Sequence, residues 1–442
     1  MALTRRSFLV TSSLAAGVAA AKPLSVVKPL VKPAADLRDW AAVREQFDLD
    51  PGYAHLGLFY LASHPRPVRE AIESYRRKLD ANPFLTVERA LFERPEDNMP
   101  LRVCARIAKY IGGDPNDIAL TQNTTTGLAL IYHGLPLKQG DDILTTNHDH
   151  YVHHEAIRLA TERNGATWRK IPLFDSYDGI SAEEMVDRIR RAIQPNTRVV
   201  GVTWVHSASG LRLPIRRIAD AIGQVNAQRS AADRVLLVVD GVHGVGVEDP
   251  HVVQLGADAF SAGTHKWIFG PRGTGFVWAK PEVWASMRPL LPSFTAMELF
   301  DAWAQEKKPN RPARAAWFTP GGFQSFEHHW ALPAAFDFHD AIGSPRITAR
   351  IHSLNLQMND ELRKLPNVVV YTPRTDGMYA GMVCFDVKGM RAQQVVDKLL
   401  EKKIIASTTP YAVPFARLAF GIMNTPEEVE KTARAMRSLT SS

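Results

Sequence analysis

The sequence predicts an α/β protein built on a mostly parallel sheet, and three observations carry that prediction. Short apolar runs of strand character recur between Asp117 and Ala279, with helical patterns between most of them. The runs are apolar throughout rather than alternating, as strands covered on both faces are. The residues with chemical potential stand just after those runs, where open α/β sheets place their sites.

The chain has 442 residues, room for two to three domains with full cores. Its first 21 residues read as a targeting segment. Thr4-Arg5-Arg6-Ser7-Phe8-Leu9 resembles the twin-arginine export motif, a mildly apolar run follows, and Ala19-Ala20-Ala21 offers a cleavage site. The alternative is a short amphipathic tail. The run is too short for a membrane span of ~20 residues. The expected organisation is a signal peptide over 1–21, an arm over 22–60, a large domain over 61–330 and a smaller one over 331–442. Hydrophobic residues make up 45% and the net charge is +7, with no dense basic block, so disorder is excluded and nucleic acid is not implied. Cys104 and Cys384 both lie in apolar periodic runs and read as core.

In order, Tyr53–Tyr60 reads as extended, Pro67–Leu79 as a helix, and Arg102–Ile111 as an amphipathic helix stopped by Gly112-Gly113. Seven strands are expected at Asp117–Thr121, Asp142–Thr146, Thr167–Pro172, Val199–Val205, Val235–Val239, Ala257–Phe260 and Gly275–Ala279. Helices fall at Thr126–Gly134, His154–Asn164, Ala182–Ile193 and Ile215–Gln228. Met297–Arg314 reads as a polar insertion near the pocket mouth. A smaller α+β unit follows, with strands at Asn367–Tyr371 and Met382–Val387 and helices at Ala392–Lys402 and Pro426–Leu439.

Lys266 lies in Ser261-Ala-Gly-Thr-His-Lys-Trp-Ile-Phe-Gly-Pro-Arg-Gly-Thr-Gly275, between apolar flanks and a Gly/Pro-rich turn. Such a lysine has two readings: a loop cap, or a Schiff-base lysine whose amine a partly buried, cation-rich pocket keeps neutral. Gln122-Asn-Thr-Thr-Thr-Gly127 ends the first sheet strand and opens a helix, an N-cap string that also suits phosphate. Asp240 ends an apolar strand, where a carboxylate is costly unless paired, and the alternative is a turn cap. The cluster His148, His150, His153, His154 invites a metal reading, but no third ligand is evident and no metal is expected. The nicotinamide fingerprint Gly-x-Gly-x-x-Gly is missing after the strands.

The ordered set Asn123-Thr-Thr-Thr126, Asn147-His148-Asp149, Val239-Asp-Gly-Val-His243 and Thr264–Gly275 resembles the class V aminotransferase family, closest to its isopenicillin N epimerase-like branch. The resemblance covers Tyr53 to the C-terminus. It implies a fold-type I transferase with pyridoxal 5'-phosphate as cofactor and a small amino acid as substrate. It gives Lys266 the cofactor lysine's role and the Cα proton, Asp240 the pyridinium nitrogen, and His148 the ring stack, with Tyr151 as fallback. Thr124, Thr125 and His265 become phosphate ligands, His243 a donor to the phenolic oxygen, and Val242 a contact on the opposite ring face. Arg417, in Ala416–Asn424, would grip the substrate carboxylate. Phe59, Tyr60, Trp267, Trp317 and Phe323 are candidate walls. Two departures stand out. Ser207 replaces the family's frequent Asn, and Gly263 replaces a frequent phosphate-binding Ser, for which Ser261 could compensate.

The segment Thr319–Glu327 corresponds to one that often reaches a partner subunit, so the resemblance implies a homodimer. Transamination is slightly preferred on mechanistic economy. Epimerisation, C–S lysis and a cofactor-binding pseudoenzyme are the alternatives. Export by the twin-arginine machinery to the periplasm is expected.

Overall fold

The computed structural model describes residues 36–93, 95–177, 179–248 and 251–440. The twin-arginine segment lies outside them. Among the described residues, no helix is long and apolar enough to cross a membrane.

A two-residue strand β1 (Ala54–His55) follows a short helix, Trp40–Arg44. Seven strands then form the central sheet: β2 (Ile118–Thr121), β3 (Asp142–Thr146), β4 (Thr167–Ile171), β5 (Thr197–Thr203), β6 (Leu236–Asp240), β7 (Ala259–Gly263) and β8 (Gly275–Ala279). Their order is β2-β8-β7-β6-β5-β3-β4. Only β8 runs against its neighbours, pairing antiparallel with both β2 and β7. The C-terminal ends of the other six therefore share one edge of the sheet. Register sets Thr203 beside Asp240 and Asp240 beside Ser261, while Gly275 links Gly263 to Thr121.

The sheet is buried on both faces, as its unbroken apolar runs require. One face packs under Val103, Ile107, Ile218 and Phe336, the other under Leu128, Ile131, Ile157 and Trp284. The exception is β4, one of the two edge strands, which carries Arg169 and Lys170 and is half exposed. Helix bounds follow caps: Asn123 accepts from the Thr126 N–H, so that helix starts at Thr124, two residues before the periodicity suggested. Gly112, with φ 73°, ends Met99–Ile111 as expected.

The smaller sheet has order β12-β13-β10-β9, from β9 (Val368–Val370), β10 (Val383–Val387), β12 (Ser407–Thr408) and β13 (Ala416–Leu418). Between them, β11 (Ile404–Ile405) pairs in parallel with β1, so the arm is stitched to the C-terminal part of the chain. Tyr53–Tyr60 is thus extended only at its start.

The structure departs from the sequence reading in three places. Met297–Ala304, inside the supposed polar insertion, is a helix. Two long helices, Phe326–Ile342 and Ser344–Arg363, had no prediction. The first buries Trp330, Leu332, Phe336 and Phe338; its apolar residues run nearly all round and leave no single stripe to read. It also spans the expected boundary at 330/331 and packs with the large unit as far as Ile342.

Candidate active site

Lys266 follows β7 and opens a tight turn in which the Phe269 N–H donates to the Lys266 carbonyl at 3.1 Å. Phe269 has φ 57°, a left-handed conformation costing a non-glycine residue about 1–2 kcal/mol. Packing holds it there. Its ring is buried, 5.1 Å from Phe47 and 5.6 Å from His339. The turn carries Lys266 Nζ to 3.0 Å from His243 Nε2. Burial lowers the Lys266 amine to about 8, against the pull of Asp240 and with the help of Arg417.

Asp240 closes β6 and is almost fully buried, and its Oδ1 accepts from the Val242 N–H at 3.1 Å. Burial raises its pKa; that N–H and Lys266 oppose the rise, and Asp149 adds to it. Burial therefore pushes both Asp240 and Lys266 toward neutrality, while each one's charge favours the other's.

The anion-binding end lies where the Thr124–Gly134 helix meets β7. The amides of Thr124 and Thr125 stand in the first turn, with no preceding carbonyl to take them. Thr124 Oγ1 accepts the Gly263 N–H at 2.7 Å and keeps its own proton for a ligand. A Cβ on Gly263 would come within 2.8 Å of the His265 ring and 3.2 Å of Thr124 Oγ1, so glycine here leaves a cradle between them. Ser261 does not compensate for the missing serine; its hydroxyl donates to the Phe276 carbonyl at 3.4 Å, under Gly127.

The histidine cluster corrects the expected stack. His148 packs 4.3 Å from Phe174 and 5.5 Å from His206, and the Leu173 N–H donates to its Nε2. Asp149 is the first charged neighbour to act on it, not Lys266. The ring facing the lysine belongs to His150, whose pKa burial and then the charges of Lys266 and Arg417 lower to about 4. His150 caps the Tyr151–Asn164 helix, which turns it into the pocket. Sequence motif order placed the histidine two residues early. Tyr151, the fallback, is exposed. His154 bonds to the Thr146 carbonyl and His153 to Tyr132, so the four rings do not converge. Among the described residues no group of His, Cys, Asp or Glu could hold a metal.

At the opposite wall Arg417, on β13, is 4% exposed. Its guanidinium donates to the Ser207 carbonyl at 2.8 Å, to Ser407 Oγ at 3.2 Å and to the Thr408 carbonyl at 3.3 Å, and covers the Phe59 ring at 4.3 Å. All three acceptors are neutral, so a buried cation stands ready for an anion. Ser207 Oγ lies 2.8 Å from Tyr411 Oη. Tyr411 meets His150 edge-on at 5.9 Å, and Asp149, Arg417 and Asp240 all act on its hydroxyl. Sequence reasoning missed Tyr411; its signal was the proline-bracketed loop Pro410–Pro414 just before Arg417. Of the candidate walls, Phe59 and Trp267 line the site. Tyr60 and Phe323 are exposed, and Trp317 is spent on Glu298.

These residues fit pyridoxal 5'-phosphate. The Gly263 cradle matches a phosphate, and the buried Asp240 matches a ring N–H. The lowered amine of Lys266 matches an aldehyde, and the unpaired Arg417 matches a substrate carboxylate.

The sequence model of the family described as Aminotransferase class-V matches residues 62–432. The chain is 25% identical to an isopenicillin N epimerase of Amycolatopsis lactamdurans, over 91% of this chain and 98% of that one. It is 26% identical to the Streptomyces clavuligerus isopenicillin N epimerase over the same shares. A probable cysteine desulfurase of Halalkalibacterium halodurans is 25% identical over 84% of this chain and 89% of its own. Among solved structures, an apo cysteine desulfurase from Thermococcus onnurineus superposes with a TM-score of 0.75 at 22% identity, covering 91% of this chain and 98% of that one. A C-DES mutant with glycine covalently linked to its PLP cofactor gives 0.74 at 21%, covering 88% and 98%. The shared architecture is the fold-type I arrangement.

Proposed function

This chain belongs to the class-V aminotransferase family, and from that premise we propose that it transforms a small amino acid by moving its Cα proton, with transamination the first reading. It is an enzyme, and its cofactor is pyridoxal 5'-phosphate. When bound, that cofactor supplies an electron sink for the pair left when the Cα–H bond breaks. The observation that carries the reading is the enclosed Lys266 amine, 3.0 Å from His243 Nε2 and lowered by burial to about 8 against the pull of Asp240.

Each residue then has one task. Arg417 grips the substrate carboxylate with a guanidinium already oriented by Ser207, Ser407 and Thr408. Lys266, lowered to about 8, takes up and returns a proton near neutral pH. Asp240 holds a ring N–H, His243 presents a donor beside Lys266, and His150 covers the ring site. Thr124, Thr125 and His265 hold the phosphate. Transamination asks only that Lys266 pick up the proton at Cα and deliver it to a second carbon.

Epimerisation is the second reading. It needs another proton-moving group, and the Tyr411 hydroxyl set by Ser207 is a candidate. The two epimerase relatives favour it too. Persulfide chemistry on a cysteine of this chain does not fit: Cys104 and Cys384 are both buried, and burial raises each thiol to about 12.

Incubating the purified enzyme with a panel of amino acids in deuterated water, without keto acid, tests this. Conversion of the bound cofactor to its amine form supports transamination. Racemised amino acid without that conversion replaces the first reading by the second. No Cα exchange with any amino acid overturns both.

A homodimer is part of the proposal, supported by the exposed apolar residues Leu290, Leu291 and Phe294, the last with its ring 6.4 Å from that of exposed Phe323. Light scattering that gives a monomer at working concentration contradicts it. Export to the periplasm by the twin-arginine route is also proposed, on Arg5-Arg6 and the apolar run after them. Unchanged export of the Arg5→Lys, Arg6→Lys double variant would show that the paired arginines are not the signal.

A further inference from the structure

Trp267 follows the lysine directly, and its side chain is committed to one polar contact. Its indole Nε1 donates to His243 Nδ1 at 3.3 Å, and both residues are buried. An indole N–H is a donor and never an acceptor. The Nδ1 of His243 must therefore present its lone pair. Burial, with the charges of Lys266 and Arg417, keeps the His243 ring neutral, so its one proton sits on Nε2. That is the nitrogen 3.0 Å from Lys266 Nζ. An N–H aimed at an amine is satisfied only when the amine offers a lone pair.

We propose that Trp267 is a positioning residue that locks His243 in the Nε2–H tautomer, and that this tautomer holds Lys266 as the neutral amine ready to meet a carbonyl.

The alternative tautomer would have the opposite effect. With the proton on Nδ1, His243 would offer Nε2 as an acceptor and stabilise the ammonium form. The indole thus decides, through one imidazole, which protonation state of the lysine is favoured. The other groups facing Lys266 are Asp240 from the end of β6, Arg417 from β13, His150 from the start of its helix, and the neighbouring His265. Asp240 favours the ammonium, and Arg417 opposes it. The tautomer adds to Arg417's side without adding a charge. Trp267 itself is held by the Phe59 ring stacked at 6.3 Å and by the backbone at Gly381, where a Cβ would collide with the indole.

The inference takes from the proposed function only the choice of Lys266 as the cofactor lysine, and its test reads that amine without any turnover. The full-length protein is stripped of cofactor and reductively methylated with formaldehyde across a pH series, and Lys266 modification is followed by peptide mass spectrometry. Wild type should show a midpoint well below that of an ordinary lysine. Trp267→Phe should raise the midpoint by about one pH unit, a roughly tenfold slower labelling at pH 7. His243→Phe, which removes the imidazole altogether, should raise it as well. The double variant should go no higher than His243→Phe alone, because Trp267 acts only through His243. A wild-type midpoint in Trp267→Phe overturns the proposal. So does an additive shift in the double variant, which would mean that the indole acts by packing. Should Trp267→Phe fail to fold, a His243→Phe midpoint equal to wild type overturns the proposal equally.

Discussion

Two buried polar clusters lie side by side at the edge of the sheet, and they are built on opposite principles. Around Asp149, both carboxylate oxygens accept hydrogen bonds. Its carboxylate takes the Thr145 and Thr146 hydroxyls at 2.8 and 2.7 Å and the Thr146 and Thr203 N–H groups at 2.8 and 2.7 Å. His153, beside it, bonds to Tyr132 at 2.6 Å. Around Asp240, the partners fall short. One backbone N–H reaches the carboxylate, Lys266 is pulled toward neutrality, and Arg417 donates only to uncharged oxygens. The first cluster stabilises the sheet edge. The second holds charges in readiness for a ligand, at a cost in stability. Burial of a carboxylate therefore does not mark function here; the two aspartates differ in how many donors reach them.

The largest expected effect is at Lys266. Lys266→Ala should fold and hold pyridoxal phosphate weakly, yet give no borohydride-trapped adduct. A peptide map of wild type should place the reduced pyridoxyl group on Lys266, and a label on another lysine would undo the assignment.

Asp240→Asn should lower turnover by about 3 kcal/mol of transition-state stabilisation, roughly 100-fold or more. Its melting temperature should hardly fall, because the aspartate had few partners to lose. Near wild-type turnover in this variant refutes the role.

Asp149→Asn reverses that pattern. An amide would turn a donor toward groups that already donate, costing about 2–3 kcal/mol of stability, readable in urea titrations. Burial alone would raise the Asp149 pKa, but His153 and His206, and then the hydrogen bonds from Thr146 and Thr203, hold it at about 2, below the usual 3.8. A depressed folded-state pKa means that the unfolded state binds more protons in acid. The contribution is full above pH 4 and fades as pH falls through about 2. Wild type should lose its advantage over Asp149→Asn across that window. A gap that stays constant there would show that the carboxylate charge is not what stabilises the cluster.

The smallest contrast is between two histidines. His150→Ala should weaken cofactor binding by roughly tenfold, about 1.4 kcal/mol of ring contact. His148→Phe should change it by less than about twofold, since His148 already stacks on Phe174. Equal effects measured by fluorescence titration would erase the distinction drawn between them.

Much of this was legible from the chain alone. Continuous apolar runs in most of the seven strands dictate a covered sheet, because an apolar strand must be buried on both sides. Lys266, Asp240 and the threonine string stand at strand ends, where topology gathers side chains into one crevice. These conclusions need only local pattern and the geometry of parallel strands.

Tertiary structure decided the rest. The helix Phe326–Ile342 has apolar residues nearly all round, and such a helix shows no periodic stripe. His148 and His150 are two residues apart at the mouth of one loop. Which of them faces Lys266 depends on where the helix cap falls, and His150 is that cap. Tyr411 and Arg417 reach the pocket from another sheet, so no spacing along the chain announces their meeting with Ser207 and His150. The proton on His243 is set by an indole 24 residues away in sequence. Local sequence determines which groups exist and which segments they ride on. Contacts between distant segments determine which groups are left unpaired, and that is where this protein keeps its chemistry.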